Sequence, residues 1–201
     1  MEPLDEQHCI KRAQEGDADA FGPIVTAYQQ KVFNFIMGMT RDMAVADELT
    51  QEVFLKAWKA LPRFRGESGF QTWLFQIAVN ATRSWGRWKK VGLARFVSLS
   101  ESAGSDQEEG TGYSTPQLAD KHFDADPARQ SESAGLQEQL KCAIDRLPPR
   151  EKEVFHLRHY EDLSLKEIAQ LMGIAEGSVK AHLFHALEKM RKFMEAPRHV
   201  V

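Results

Sequence analysis

The chain has 201 residues, of which 42% are hydrophobic and 27% are charged, and its formal net charge is −3. This composition is ordinary for a soluble globular protein of one large or two small domains, and it excludes a global basic field. Two cysteines, Cys9 and Cys142, are too few and too far apart for a disulfide framework. We find no apolar run at the start and no stretch of ~18 consecutive apolar residues, so we expect a cytoplasmic protein with no membrane insertion.

The charge is distributed unevenly along the chain. Residues 1–95 carry 13 basic and 11 acidic side chains, residues 96–131 carry 2 and 7, and residues 132–201 carry 11 of each. The middle segment is rich in Ser, Gly, Asp and Glu and lacks apolar periodicity, which predicts a flexible acidic linker. Its 36 residues would span ~120 Å when extended and ~33 Å as a coil. We therefore predict two domains, 1–95 and 132–201.

The first block is predicted to be helical throughout. Apolar residues recur at helical spacing over 4–14 and 20–40, then from Asp42, a candidate N-cap, to Pro62, and finally over about 69–90. Strand signals are weak and no Gly-rich nucleotide loop is present. The sequence therefore indicates an all-α chain.

The fourth predicted helix is unusual because residues 67–90 hold three tryptophans, two phenylalanines and four basic residues. It can be read as a core helix, a membrane-surface helix or a nucleic-acid surface. One helical face carries Trp73, Leu74, Ile77 and Ala78, and we expect this face to pack in the core. Trp85 and Trp88 stay unassigned.

The second block contains the pattern of a helix-turn-helix over residues 163–192. Ser164 and Glu167 form a candidate capping box, Ala169 is small where two helices would cross, and Gly173 tolerates the positive φ of the turn. Val179 would anchor the second helix, whose outward face suits the major groove of DNA. The alternative is a plain helical hairpin.

Catalytic and metal-binding patterns are missing from the sequence. The pairs His156–His159 and His182–His185 are one helical turn apart, but no cysteine or carboxylate completes a ligand set. We find no Ser/His/Asp arrangement, no HExxH motif and no phosphate-binding loop. We therefore expect no catalytic residue, no metal and no cofactor, and a protein that is not an enzyme.

Three stretches of the chain resemble bacterial RNA polymerase sigma factors of the extracytoplasmic-function (ECF) class in the sigma-70 family. They are AQEGDADAFGPIVTAYQQKVFNFI (13–36), ADELTQEVFLKAWKALPRFRGESGFQTWLFQIAVNATRSW (46–85) and LPPREKEVFHLRHYEDLSLKEIAQLMGIAEGSVKAHLF (147–184). The resemblance implies a sigma-2-like helical bundle and a sigma-4-like helix-turn-helix domain. It also implies a subunit that binds core RNA polymerase and directs promoter-specific initiation.

The resemblance assigns the first domain two surfaces. A polar ridge with one leucine would bind the polymerase: Asp47, Glu48, Gln51, Glu52 and Leu55. A loop and the following helix would capture the melted −10 strand, with a flipped base in the loop: Phe64, Arg65, Phe70, Asn80, Arg83, Arg87 and Lys89. Aromatic platforms and cations are the groups that bind unpaired strands.

In the second domain, the resemblance assigns reading of the duplex −35 element to the second helix of the helix-turn-helix, through Ser178, Lys180, Ala181, His182, Phe184 and His185. The family often has arginine where His182 and His185 stand, and neutral histidine cannot make the bidentate contact of arginine to guanine. The linker would bridge the two elements, which lie two DNA turns or ~70 Å apart. Whether it also mimics nucleic acid or is a passive spacer stays open.

The resemblance also implies an anti-sigma protein as a regulatory partner, beside core polymerase and promoter DNA. Two other functions compete with this interpretation. A stand-alone helix-turn-helix regulator would bind duplex DNA without polymerase, usually as a dimer, and would leave residues 46–90 unexplained. A membrane-surface or scaffold protein would use residues 67–90 as an amphipathic anchor, against which the polar residues inside that helix argue.

Overall fold

The computed structural model describes residues 5–100 and 127–195. The described residues form eight α-helices and one 3-10 turn and contain no strand, so the all-α prediction is confirmed. The N-terminal half comprises α1 (Glu6–Gln14), α2 (Ala18–Thr40), α3 (Met43–Ala60), the 3-10 turn (Leu61–Arg63) and α4 (Phe70–Ser100). The C-terminal half comprises α5 (Pro127–Asp145), α6 (Pro149–His159), α7 (Leu165–Met172) and α8 (Glu176–Glu195).

Short acidic side chains define where the helices of the N-terminal half begin. The Asp17 side chain accepts from two backbone N–H groups of the first turn of α2, and Asp42 accepts from the N–H of Val45 at the start of α3. These bonds satisfy donors that have no partner inside the helix. Arg41 takes a left-handed conformation with φ 59°, which ends α2 and turns the chain into α3.

The centre of the N-terminal half is a core between α2, α3 and α4. The Phe35 and Phe75 rings meet edge to face with their centroids 5.6 Å apart, a favoured aromatic geometry. Around them lie side chains with no solvent exposure: Ile24, Val32, Ile36, Val53, Leu74, Ala78 and Val79.

The helix-turn-helix of the C-terminal half forms as predicted. The Ser164 hydroxyl accepts from the N–H of Glu167, and the Glu167 carboxylate accepts from the N–H of Ser164. Gly173 ends α7 with φ 67°, a conformation that glycine adopts without a steric penalty. Val179 is fully buried and Ala169 is 9% exposed, so both predicted packing positions are confirmed.

The two halves share one hydrophobic core. Helix α7 packs on α4 and α6 packs on α2. The buried residues Val154, Leu157, Ile168 and Val179 belong to the same cluster as the α2–α4 core. A second, smaller cluster joins α5, α6 and α8 (Ala143, Ile144, Leu147, Phe155, Ala186 and Met190).

The helical segments extend further than the sequence pattern predicted. Helix α4 continues to Ser100 and α5 begins at Pro127, so both enter the segment predicted as a linker, 96–131. Residues 101–126 of that segment lie outside the described residues.

Candidate polymerase and nucleic-acid interfaces

The polar ridge expected to bind polymerase lies on the outer face of α3. Asp47, Glu48 and Gln51 are exposed, and Glu52 pairs with Lys56 one turn later at 2.5 Å. Leu55 is 61% exposed, although the neighbouring turns of α3 bury their apolar side chains. A single exposed leucine is ordinary on a protein surface, so its meaning depends on the apolar surface around it.

Leu55 lies at the edge of an open apolar groove between α2 and α3. The groove is lined by Phe21, Val25, Gln29, Thr50, Gln51, Phe54, Leu55 and Trp58. Within this lining, the Phe21 and Trp58 rings contact each other at a centroid distance of 5.2 Å. Sequence reasoning identified the ridge but missed the α2 side of the groove, because Phe21 and Val25 look like ordinary core positions.

An aromatic cluster supports the loop that precedes α4. The Phe64 ring lies 5.0 Å from Trp73 and 5.7 Å from Phe70, between ring centroids. The Gln14 side-chain amide donates to the carbonyls of Leu61 and Phe64, at 3.2 and 2.7 Å. The loop backbone is thereby fixed by two bonds from α1.

Within this cluster, Phe70 is placed differently from the sequence expectation. We expected it on the DNA-binding surface, but its side chain is only 4% exposed. Its ring packs against Tyr28 at 5.6 Å and Trp73 at 5.4 Å, between centroids. The ring therefore supports the loop from its buried side. The Arg65 side chain is 82% exposed, so it is the cation of this loop that faces solvent.

Helix α4 separates its predicted roles by face. Leu74 and Ala78 are fully buried, whereas Trp73 and Ile77 are half-buried against the core. Asn80 is exposed, on the side of the helix turned away from Leu74 and Ala78.

Residues 84–89 of α4 hold the two remaining tryptophans. Trp85 packs against the core and carries the Lys89 ammonium 5.1 Å above its ring, whereas Trp88 is 76% exposed. Arg87 is exposed and donates to the Ser84 hydroxyl. The α4 edge therefore presents Arg87, Lys89 and one aromatic ring to solvent.

Arg83 has a partner that the sequence did not indicate. Its guanidinium donates to both carboxylate oxygens of Glu153 on α6, from Nε to Oε1 at 3.0 Å and from Nη2 to Oε2 at 2.7 Å. The Arg83 side chain is 19% exposed and that of Glu153 is 6% exposed. Of the cations expected on the −10 surface, this one is already bound within the chain.

The outward face of α8 is open to solvent. Ser178, Lys180, Ala181 and His185 are exposed and His182 is half-buried. A further member of the predicted −35 set, Phe184, is 65% exposed.

Two residues on this face hold weak local contacts. Lys180 pairs with Glu176 at 3.0 Å and His185 lies 3.9 Å from Glu188, both along the helix surface. Such exposed pairs contribute little to stability and are readily exchanged for other partners.

The histidine pairs occupy two different environments. His156 is half-buried with its Nε2 enclosed, and its ring stacks on Tyr160 at 4.9 Å and meets Phe35 edge to face at 6.3 Å. This burial, reinforced by the nearby Lys152 charge, lowers the pKa of His156 to about 4. Among the described residues, no group of three or more His, Cys, Asp or Glu side chains is arranged to hold a metal ion. In the same ranges, no helix is long and apolar enough to cross a membrane.

Family models match both halves of the chain. The model "Sigma-70 region 2" matches residues 24–90, which run from α2 through the loop into α4. The model "Sigma-70, region 4" matches residues 137–190, which run from α5 through the helix-turn-helix.

The fold has solved counterparts at low sequence identity. The structure of CnrH in complex with the cytosolic domain of CnrY matches with a TM-score of 0.65 and 19% identity, over 96% of this chain and 99% of that chain. The sigma factor RpoE in complex with the anti-sigma factor NepR from Bartonella quintana matches with a TM-score of 0.60 and 20% identity, over 89% and 98%.

Relatives of similar length match more than nine-tenths of this chain. The RNA polymerase sigma-H factor of Pseudomonas aeruginosa is 30% identical over 198 residues, 94% of each chain. The ECF RNA polymerase sigma-E factor of Escherichia coli K12 is 31% identical over 187 residues, 93% of each chain. With both sigma-70 regions present in order and relatives at 30% and 31% identity over more than nine-tenths of the chain, the chain belongs to the extracytoplasmic-function class of the sigma-70 family of bacterial RNA polymerase sigma factors.

Proposed function

We propose that the chain acts as the promoter-specificity subunit of RNA polymerase, with α3 as its principal polymerase-binding element. The observation that carries this proposal is the exposed ridge of α3 next to Leu55 and the α2–α3 groove. A solvated charged face would not need a leucine that is 61% exposed at the mouth of an aromatic groove. Polymerase would cover the leucine and the groove, and the carboxylates would fix the orientation of docking.

For the −10 element, we propose that the loop from Phe64 to Glu67 and the exposed edge of α4 hold the melted strand. Arg65, Arg87 and Lys89 would bind phosphates, Arg83 would do so when it is not paired with Glu153, and Asn80 would hydrogen-bond to a base edge. Phe70 would act indirectly, since it supports the loop through Phe64 and Trp73.

For the −35 element, we propose that α8 enters the major groove with Ser178, Lys180 and Ala181 nearest the bases and His182, Phe184 and His185 further along. The N-terminal residues of a recognition helix are the ones that contact base edges. Phe184 is well exposed and suits apolar contact with a thymine methyl group.

The remaining roles follow from family membership and are also proposals. The polymerase would supply the phosphodiester chemistry, so the chain itself would not be an enzyme and would work in the cytoplasm. Residues 1–95 and 132–201 would act on the −10 and −35 elements, with 96–131 between them. An anti-sigma protein would regulate the chain, as the pairing of RpoE with NepR suggests.

Run-off transcription tests this function directly. Purified chain is added to sigma-free core polymerase and a library of promoter fragments, and transcripts are sequenced. We expect transcription from a subset of fragments that share two motifs about two DNA turns apart. Absence of chain-dependent transcripts, together with tight sequence-specific duplex binding by the free chain in a gel shift, would instead indicate a stand-alone helix-turn-helix regulator.

A further inference from the structure

The junction between the two halves is built from polar contacts around a shared apolar core. Besides the Arg83–Glu153 pair, the Gln71 side chain donates to the carbonyl of Glu161 at 2.9 Å. The Thr72 hydroxyl donates to the Glu167 carboxylate at 3.2 Å. All three contacts join α4 to the C-terminal half along one side of the helix.

A second set of contacts holds α6 against the end of α2. Lys152 donates to the carbonyl of Gly38 at 3.3 Å and to Asp145 at 3.1 Å, and Asp145 also pairs with Arg41 at 2.6 Å. The His156 ring lies directly on Gly38, and a Cβ added at Gly38 would overlap with the ring atoms Cε1 and Nε2. With His156 in this position, the close approach of α6 to α2 leaves no room for a side chain at residue 38.

This closed arrangement cannot serve both promoter elements at once. Helix α4 packs on α7, and α7 packs on α8. Since packed helices lie ~8–10 Å apart, α4 and α8 are within about 20 Å of each other. The two DNA elements of the proposed function are ~70 Å apart, so the halves must separate before both are read.

We infer that α6 is an intramolecular latch: Glu153 occupies Arg83 in place of a DNA phosphate, and α6 holds the helix-turn-helix half against the −10 surface. The inference rests on the proposed function, because Arg83 is expected to bind the melted strand. A guanidinium binds a carboxylate or a phosphate through the same pair of parallel hydrogen bonds, so the two acceptors exclude each other. The buried Glu153 is thus a competitor held at high local concentration.

The first test removes the competitor from Arg83. The probe is a fluorescein-labelled mixed-sequence single strand of about 20 nucleotides, titrated with the full chain at several salt concentrations. We expect Glu153→Gln to bind it about 3- to 10-fold more tightly than the wild type, with the salt slope steeper by about 0.7, the value for one added phosphate contact. Arg150 also lies 3.5 Å from the Glu153 carboxylate, but its side chain is 52% exposed and only weakly held. In an Arg83→Gln background, Glu153→Gln should therefore have no such effect, which separates release of Arg83 from the change in net charge.

The second test opens the junction without changing charge. Gly38→Ala places a methyl group on His156, whereas Gly22→Ala adds a methyl group to the same helix α2 with no atom within 4 Å. Both changes favour the helix, so Gly22→Ala is a matched control. A compact chain of this length has a radius of gyration of about 17 Å, and we expect small-angle scattering to show an increase of about 4 Å for Gly38→Ala alone.

The outcomes separate the latch from the proposed function, since neither readout uses polymerase or a promoter. Expansion of Gly38→Ala with tighter strand binding, against an unchanged Gly22→Ala, supports the latch. A wild type that is already expanded, a Gly38→Ala variant as compact as its control, or a Glu153→Gln effect that persists without Arg83 would overturn it. Circular dichroism of each variant verifies that helix content is retained.

Discussion

Glu161 is the clearest case of a single residue whose environment conflicts with its charge. It lies in the turn after α6, is 6% exposed, and its Oε2 has no hydrogen-bond partner among the described residues. Burial raises the pKa of this carboxyl to about 7, against the attraction of Lys31 and with a further upward contribution from Asp162. The protonated form is therefore the one that the closed arrangement favours.

The raised pKa of Glu161 predicts how stability depends on pH. The folded pKa is about 7 and the ordinary value is 4.5, so the folded state binds more protons between these values. This contribution to stability is present below pH 4.5 and is lost as pH rises to 7. Glu161→Gln should remove that loss. The difference in the free energy of unfolding between the variant and the wild type should therefore favour the variant by about 1–3 kcal/mol more at pH 8 than at pH 4.5.

Urea unfolding at both pH values measures this gain, and the comparison of variant with wild type cancels the titration of His156. Glu48→Gln, which removes an exposed carboxylate from α3, is the control for net charge. A gain that is the same at pH 4.5 and pH 8 would contradict the assignment of Glu161.

Trp73 packs against the core and Asn80 is exposed to solvent, so alanine at these two positions of α4 should fail in different ways. Trp73→Ala removes a half-buried ring that contacts Phe64 and Phe70, and we expect a loss of ~2–4 kcal/mol in the free energy of unfolding. Asn80→Ala changes an exposed side chain and should alter stability by less than ~0.5 kcal/mol.

An assay of promoter opening should instead single out Asn80→Ala. Permanganate footprinting of a polymerase–promoter complex should show weaker strand opening with Asn80→Ala than with the wild type, while the melting temperature of the variant protein is unchanged. Equal losses of thermal stability in both variants would argue against the division of α4 into a core face and a DNA face.

At the scale of the helix, α3 combines a buried face with a face for docking. Leu55→Ala should weaken binding to core polymerase about 5- to 30-fold, equivalent to ~1–2 kcal/mol, because an exposed leucine loses its contact area in the complex. Met43→Ala is the matched control: Met43 is 53% exposed on the same helix and lies outside the groove.

Fluorescence anisotropy of labelled chain with core polymerase measures both affinities. Thermal unfolding should be nearly unchanged in the two variants, since neither side chain is buried in the free chain. Equal weakening by Leu55→Ala and Met43→Ala would place polymerase on another surface.

The helices show which structural signals are local enough to predict from sequence. Asp42, the Ser164–Glu167 box and Gly173 each act within a few residues, so their roles could be predicted and are confirmed. The end of α4 was predicted too early, at the basic cluster near residue 90. The helix continues because apolar residues such as Leu93 and Phe96 follow that cluster and no proline stops it before Ser100.

The junction between the halves escaped prediction for a physical reason that concerns the whole molecule. Glu153 and His156 look like solvated helix residues because their partners Arg83 and Gly38 are far away in the chain, 70 residues in the case of Arg83. Nothing in the local pattern distinguishes a charge that pairs across a tertiary interface from one that faces water. Gly38 inside α2 was the one available signal, since glycine inside a helix often marks a close approach.

A core shared by both halves predicts cooperative unfolding. Because residues of α6, α7 and α8 belong to the same buried cluster as α2–α4, calorimetry of the wild type should show one transition with calorimetric and van 't Hoff enthalpies nearly equal. Gly38→Ala should separate it into two transitions, whereas Gly22→Ala should not. Two transitions in the wild type would mean that the halves are stable independently.

The contact between Gly38 and His156 also limits how freely the two regions can be exchanged among related proteins. A chimaera that joins α1–α4 of this chain to the helix-turn-helix half of a relative would keep both DNA-reading surfaces. It would retain the closed arrangement only if the incoming α6 carried an acidic partner for Arg83 and a side chain that fits over Gly38. The two DNA-reading surfaces could then be exchanged separately between related proteins. The closed arrangement of the polymerase-free chain, in contrast, would require two halves that match each other.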